Sequence, residues 1–393
     1  MRKRILLLSA LLCSIGSYAQ DSVATTPVVD EPKGKFTFSG YIDSYYIANM
    51  NKPLSRSNLG AAANARAFDQ RAGQFSLGLI QTKIGYSTAK SDVVVDLTFG
   101  PNADLGNYGN LIGPLGTTTA LAIKQAYFNW KATDRLTLTA GQFGTHIGYE
   151  VIDAPVNYNY SLSNLFNNGP FYHVGAKGTY AFSDKASLML GIVNNVDALN
   201  DNNRKKGLIG QLFVSPATGW NIYLNGIVSN EANIDSLGNT PAANYSVLDL
   251  VTTYQVSEKF FLGANAAIGS QKGDYQGYTF TDKTTSWGGV ALYTNYAVSS
   301  NFGLGARYEF FDNKGGARLL RNRLGDGTSV NSITFTGNIT AADGHLLLKP
   351  ELRVDSYAKP ARGAEGNLQF EDSKGNFTKS SQTTVGMAFI YKF

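Results

Sequence analysis

The chain lacks most of what would mark a soluble enzyme. It has a single cysteine, Cys13, and only three histidines, His146, His173 and His345. Cys13 lies inside an apolar N-terminal run, so the mature protein is expected to carry neither a disulfide nor thiol chemistry. Leu12 precedes it where a lipoprotein anchor would need a small residue, which argues against lipid attachment. After the N-terminus no stretch reaches the roughly 18 uninterrupted apolar residues of a membrane helix. Amphipathic helical periodicity is missing as well.

Charge is sparse, at 16% of residues with a formal net charge of +5. No basic cluster interleaves with aromatics, so nucleic acid is not an expected partner. No Ser/His/Asp spacing offers a nucleophile with its base, and catalysis is not expected. Zinc spacings, phosphate loops and dinucleotide fingerprints are absent. The run Asp197-Ala198-Leu199-Asn200-Asp201-Asn202-Asn203 carries oxygen ligands without the spacing of a calcium loop, and reads as a polar hairpin loop. Neither a metal nor a cofactor is expected.

What is abundant points to strands. The chain holds 42 Gly, 22 Tyr and 22 Phe against 11 Pro, a balance that suits aromatic-rich strands joined by tight turns. At the start, Met1-Arg2-Lys3-Arg4 is basic, Ile5 to Gly16 is apolar, and Ser17-Tyr18-Ala19 is a small-x-small site before Gln20. These features predict a secretory signal peptide over 1–19. Residues 20–34 (QDSVATTPVVDEPKG) lack periodicity and read as a short periplasmic tether.

From Lys35 to Phe393 one pattern repeats: about ten residues of period-2 alternation, a short turn, another such segment, then a longer polar loop. The spacing predicts sixteen strands near 35–49, 73–87, 92–101, 119–131, 135–146, 171–182, 185–196, 206–215, 219–229, 244–256, 259–271, 284–298, 301–313, 330–341, 345–357 and 380–393. Short and long connections alternate strictly. If consecutive strands are antiparallel neighbours, all short turns lie at one end and all long loops at the other. This predicts an all-β fold, a transmembrane antiparallel β-barrel with short periplasmic turns and long extracellular loops. In lipid every backbone group must be paired, so such a sheet has to close on itself.

The faces agree. In LLLKPELRVDSYA (346–358), Leu346, Leu348, Pro350, Leu352 and Val354 share one face, while Lys349, Glu351, Arg353 and Asp355 share the other. A Lys or Arg on the lipid face near the midplane costs about 2–4 kcal/mol, so the charged face belongs to the lumen. Phase predicts pore-lining positions at Asp43, Lys83, Asp96, Lys177, Asp249, Arg307, Glu309, Lys349, Glu351, Arg353 and Asp355. Their signs nearly cancel, which predicts weak ion selectivity. Two strands break phase. Lys124 aligns with Ala126, Phe128 and Trp130, which predicts a bulge near Ile123, and 73–87 switches near Leu79-Ile80.

Three arginines in one loop, Arg318, Arg321 and Arg323, are a possible constriction that would lean the pore towards anions; outside the lumen they would suit lipopolysaccharide phosphates. The apolar loop 147–170 is expected to fold over or into the barrel mouth and narrow it. Sixteen strands leave an aqueous channel where eight would fill with side chains. The expected function is a porin for passive diffusion of small hydrophilic solutes; the alternative is an adhesin or receptor that presents its long extracellular loops.

Three segments, AGQFGTHIGYEVIDAPVNYNYSLSNLFNNGPFYHVGAKGTY (140–180), GARYEFFDNKGGAR (305–318) and LLLKPELRVDSY (346–357), resemble the OmpL-like family of β-barrel porins. The matching positions are Arg307, Glu309, Asp312, Arg318, Pro350, Glu351, Arg353 and Asp355. The resemblance covers essentially the whole mature chain and implies an outer-membrane barrel acting as a porin, with no catalytic residues to carry over. The terminal Phe393 resembles the aromatic signal read by outer-membrane assembly machinery. Outer-membrane lipid and lipopolysaccharide are further expected partners. A homo-oligomer is left open.

Overall fold

The computed structural model describes residues 34–106, 122–234, 237–240, 242–272 and 284–393. The expected signal peptide, the tether up to residue 33 and strand positions 119–121 lie outside the described residues. Sixteen strands form one closed sheet. They are β1 Lys35–Asn49, β2 Phe75–Ser87, β3 Ser91–Phe99, β4 Ile123–Lys131, β5 Leu136–Gly144, β6 Tyr172–Ser183, β7 Ala186–Val193 and β8 Gly207–Ala217. The second half comprises β9 Trp220–Asn230, β10 Asn244–Gln255, β11 Phe260–Gln271, β12 Thr285–Ser299, β13 Phe302–Asp312, β14 Ser329–Ala341, β15 Leu346–Tyr357 and β16 Ser381–Lys392.

Every strand pairs antiparallel with its sequence neighbours, and β16 returns to β1, from Tyr41 opposite Lys392 to Asn49 opposite Thr384. The last residue joins the seam: Phe393 and Gly40 exchange two backbone hydrogen bonds of 3.0 Å. Closure leaves no open edge, which is what a sheet immersed in hydrocarbon requires. Because direction reverses at each strand, turns such as 88–90 and 300–301 gather at one end, and connections such as 50–74, 145–171 and 358–380 at the other.

Side-chain alternation sets inside from outside. On β13, Phe302, Leu304, Tyr308 and Phe310 point outward and are exposed, while Arg307, Glu309 and Phe311 point inward and are buried. β15 behaves alike, with Leu352 outward and Lys349, Arg353 and Asp355 inward. Pro350 has no amide to give, and the β14–β15 ladder skips beside it, from Thr336 opposite Glu351 to Ile339 opposite Leu348.

Both phase breaks occur as bulges. The β1–β2 register shifts between Ile42 and Ser44, where Asp43 faces two residues and accepts a hydrogen bond from the Leu79 amide. The β3–β4 register shifts between Asp96 and Leu97, and Lys124 is the residue left over. The extra residue turns Lys124 inward, where its ammonium lies 2.6 Å from Asp153 and 3.4 Å from Asp96. Among the described residues two short α-helices accompany the sheet, α1 Pro101–Gly106 and α2 Asn164–Asn168.

Candidate functional site

The charged inner wall does not face an empty lumen. The connection between β5 and β6, residues 145–171, runs inside the barrel and takes its partners from the wall in order. His146 Nε2 is 3.1 Å from the Gly226 carbonyl on β9, and the Gly148 amide donates to Asp249 on β10 at 3.0 Å. Tyr149 packs on Tyr293 of β12 with ring centres 4.3 Å apart. Glu150 then meets Arg307 on β13 at 2.5 Å. The segment next crosses to the other side of the lumen, where Asp153 accepts from Lys124 on β4 at 2.6 Å and from Gln81 on β2 at 2.7 Å.

From there the chain climbs the inward faces of β13, β14 and β15. Lys349 donates to the Asn157 carbonyl. Asn159 donates to Thr336 at 2.8 Å, and Glu351 accepts from the Tyr160 and Ser161 amides at 2.7 and 3.0 Å. Arg307 donates to the Ser161 carbonyl at 2.6 Å, and Arg353 to the Leu162 carbonyl at 2.7 Å. Glu309 accepts from the Asn164 and Leu165 amides, both at 2.8 Å.

This pattern has a simple cause. An irregular segment inside a barrel exposes amides and carbonyls that no ladder satisfies, and each buried orphan costs about 1–3 kcal/mol. A strand offers an inward side chain every second residue, so charged residues spaced by two supply acceptors and donors at intervals the segment can follow. Glutamates take the amides and basic residues take the carbonyls. Charge-assisted bonds of this kind are about twice as strong as neutral ones. The first turn of α2 is held likewise, with Glu309 on its leading amides, Glu150 accepting from the Ser163 amide at 2.7 Å, and the Ser163 hydroxyl capping the Phe166 amide at 3.0 Å.

A second connection, 50–74, leans in at the long-loop end. Arg66 is buried and bridges Asp69 at 2.6 Å and Asp355 at 2.9 Å, with Thr384 at 3.0 Å. Asp355 therefore sits between two guanidinium groups, since Arg353 is 2.8 Å away. Phe68 packs against Phe166 and Phe171 at 6.0 and 6.4 Å, and Phe166 stacks on Phe171 at 4.8 Å, so an aromatic contact ties the two segments together.

Of the eleven sites predicted from strand phase, Asp43, Asp96, Asp249, Arg307, Glu309, Lys349, Arg353 and Asp355 are buried inward-facing residues, and Glu351 is half-buried. The in-folded segment and its bonds cover most of them. Lys177 lies over the Phe143 ring at 4.3 Å, and Lys83 is exposed, opposite Asp96 in the β2–β3 ladder.

The three loop arginines are separated rather than brought to one constriction. Arg321 donates to the Gly325 and Gly316 carbonyls within its own loop, and Arg323 lies 4.3 Å from the Phe377 ring in the last long loop. Only Arg318 is buried, 6.0 Å from the Trp287 ring on the inner face of β12. The Asn/Asp run at 197–203 serves as loop scaffolding. Asp197 accepts from the Phe171 and Tyr172 amides at 2.6 and 3.0 Å, and Asn203 donates to the carbonyls of Asn230 and Ala232.

Sequence phase did not single out Arg66, Asp69, Glu150 or Asp153, because they lie on connections where no period assigns an inside. No local pattern in the sequence marks Glu150 or Asp153 as partners of the wall. Burial also moves loop groups: it pushes His146 down to about 4, and it pushes Asp197 and Glu231 up to about 7 each despite their amide donors. Beside the segment remains a cavity of about 260 Å³, lined by Asp249, Asn265, Trp287, Gln125, Lys124 and Phe171 among others.

The profile of the family described as "Putative beta-barrel porin-2, OmpL-like" matches residues 35–393. The chain belongs to this OmpL-like porin family. Its structure is similar to that of an anion-selective porin from Comamonas acidovorans, with a TM-score of 0.55 at 10% identity over 92% of this chain and 100% of the porin. It is also similar to OprB of Pseudomonas putida, with a TM-score of 0.55 at 12% identity over 92% and 94% of the two chains. The trimer form of in-vitro folded OmpT from Vibrio cholerae gives 0.54 at 11% identity over 92% and 99%. At such identities the likeness is one of fold. No curated protein matches in sequence. Family and architecture together make this OmpL-like chain a porin-type outer-membrane barrel.

Proposed function

We propose that this OmpL-like barrel is an outer-membrane porin that passes small hydrophilic solutes by diffusion through a lumen narrowed by residues 145–171. The observation that carries the reading is the ordered bonding of that segment to β13, β14 and β15, from Lys349 on Asn157 up to Glu309 on Asn164 and Leu165. Segments anchored at so many points hold their shape, so the bore beside them is a fixed filter. The anion lean expected from three arginines loses most of its support, because Arg321 and Arg323 are engaged within the outer loops.

An adhesin built on residues 147–170 would need them outside, whereas Ile147, Leu162 and Leu165 are buried. The reading includes export through the signal peptide at 1–19, insertion aided by Phe393, contact of the outer loops with lipopolysaccharide, and assembly as a homo-oligomer, a form the Vibrio cholerae OmpT structure takes. Single-channel recording of the refolded protein in a planar bilayer tests it. Stable conductance that lets small sugars through and excludes larger ones is expected, and a barrel silent at every voltage would overturn the reading.

A further inference from the structure

A second cavity, of about 250 Å³, lies between the tip of the in-folded segment at Tyr158 and the short-turn end of the barrel. Gly303 lines it, and Gly305 stands beside it against Tyr158 and Asn338. Gly303 and Gly305 stand on the inward face of β13, where Arg307 and Glu309 stand higher up, and they contribute no side chain. A Cβ at Gly305 would lie 3.3 Å from Asn338 Nδ2 and 3.3 Å from the Tyr158 carbonyl, and one at Gly303 would lie 3.5 Å from Asn295 Oδ1. Asn295 on β12 and Asn338 on β14 therefore flank the gap from either side, as the register of Gly305 with Asn295 and Gly303 with Asn338 requires.

Both amides have unmet capacity: Asn295 Oδ1 and Asn338 Nδ2 are buried without a hydrogen-bond partner. Such atoms are uncommon in folded proteins and carry a desolvation cost of about 1–3 kcal/mol each. Lys349, 3% exposed, lines the same cavity and is the one charged residue among the described residues that do. Its ammonium has three donors, one of them used by the Asn157 carbonyl. Glu351, next on that face, has its carboxylate occupied by the Tyr160 and Ser161 amides and the Thr336 hydroxyl.

We propose that this cavity is a binding site for small hydroxycarboxylates, with the carboxylate held by Lys349 Nζ and Asn338 Nδ2 and the hydroxyl donated to Asn295 Oδ1. A neutral polyol would leave the ammonium without a counter-charge. A plain carboxylate would leave Asn295 Oδ1 unpaired. The site names a solute class for the channel proposed above and rests on that reading only for how the solute arrives.

Isothermal titration of the refolded full-length mature protein in detergent, with glycerate, propionate and glycerol as probes, tests the site directly. Glycerate should bind at least about tenfold tighter than propionate and tighter still than glycerol, as expected for one hydrogen bond and then a charged contact. N338D sets a carboxylate against the bound one and beside the Lys349 ammonium, and should weaken glycerate by tenfold or more. N295D, on β12, gives the same readout should N338D not fold. Equal binding of glycerate and glycerol, or unchanged binding in the refolded variant, overturns the proposal. A barrel that conducts but does not discriminate loses the site and keeps the channel; one that binds glycerate without conducting keeps the site and loses the channel.

Discussion

Arg307 on β13 and Glu150 in the in-folded segment are 157 residues apart in the chain, yet guanidinium and carboxylate meet at 2.5 Å, both fully enclosed by protein. The same guanidinium donates to the Ser161 carbonyl, so one wall residue holds the descending and the ascending arms of the segment together. It staples the in-folded segment.

Removing one partner should show this. Glu150→Gln leaves a buried guanidinium without its counter-charge, a loss of about 3–5 kcal/mol for comparable buried pairs. Because the barrel ladder is untouched, the loss should fall on the segment. Faster hydrogen exchange at residues 148–163 and noisier channel current are expected, with the thermal midpoint of the barrel little changed. Identical exchange in the variant would show the pair to be dispensable.

Deleting residues 153–163 takes away the ascending arm and the bonds from Lys349, Glu351 and Arg353 to it. Single-channel conductance should rise, and larger neutral polymers should enter. The exposed wall charges would also make the current more salt-dependent. A deletion that folds but conducts like the wild type would place the narrowest point elsewhere.

Arg321→Gln together with Arg323→Gln should leave the reversal potential in a salt gradient unchanged, because both side chains are held within the long loops. A shift towards cations would return them to the permeation path.

Asp197 and Glu231 are pushed up to about 7 by burial, from ordinary carboxyl values near 4. Between pH about 4 and about 7 the folded loops therefore hold protons that the unfolded chain has released. The contribution of these groups to stability is full at the acid end and falls as pH rises through 7. Amides that donate to them, Phe171, Tyr172 and Val196, should be less protected at pH 8 than at pH 6 after correction for intrinsic exchange. Asp197→Asn should remove the dependence at the first two. Greater protection at pH 8 would mean that the amide donors outweigh burial.

His146 has the opposite sign. Burial pushes it down to about 4, so the folded state keeps it neutral where the unfolded chain takes up a proton below about 6.5. Its contribution is full above that pH and is lost as pH falls towards 4. The root of the segment, beside Gly226, should loosen over this range, visible as current noise that grows on acidification and is absent in His146→Phe.

Much of this was legible in advance. The number of strands, their alternation of short and long links and the inward side of β13 and β15 follow from a period of two, which hydrophobicity marks at every step. Even the two bulges announced themselves, because Lys124 and the Leu79-Ile80 pair put the wrong residue on the wrong face. The task of the inward charges was not legible. Arg307, Glu309 and Arg353 look the same in sequence whether they face water or a loop, and the loop that claims them has no period to reveal its path.

The sequence by itself determined that this chain closes into a sixteen-stranded barrel with charged residues inside, since lipid outside and pairing of every backbone group admit one solution. Only the tertiary structure decided what those charges do. Orphan amides and carbonyls of residues 145–171 need partners inside a barrel, and which wall residue meets which loop atom depends on where strands far apart in sequence bring them. That is a matter of three-dimensional distance, and no local pattern carries it.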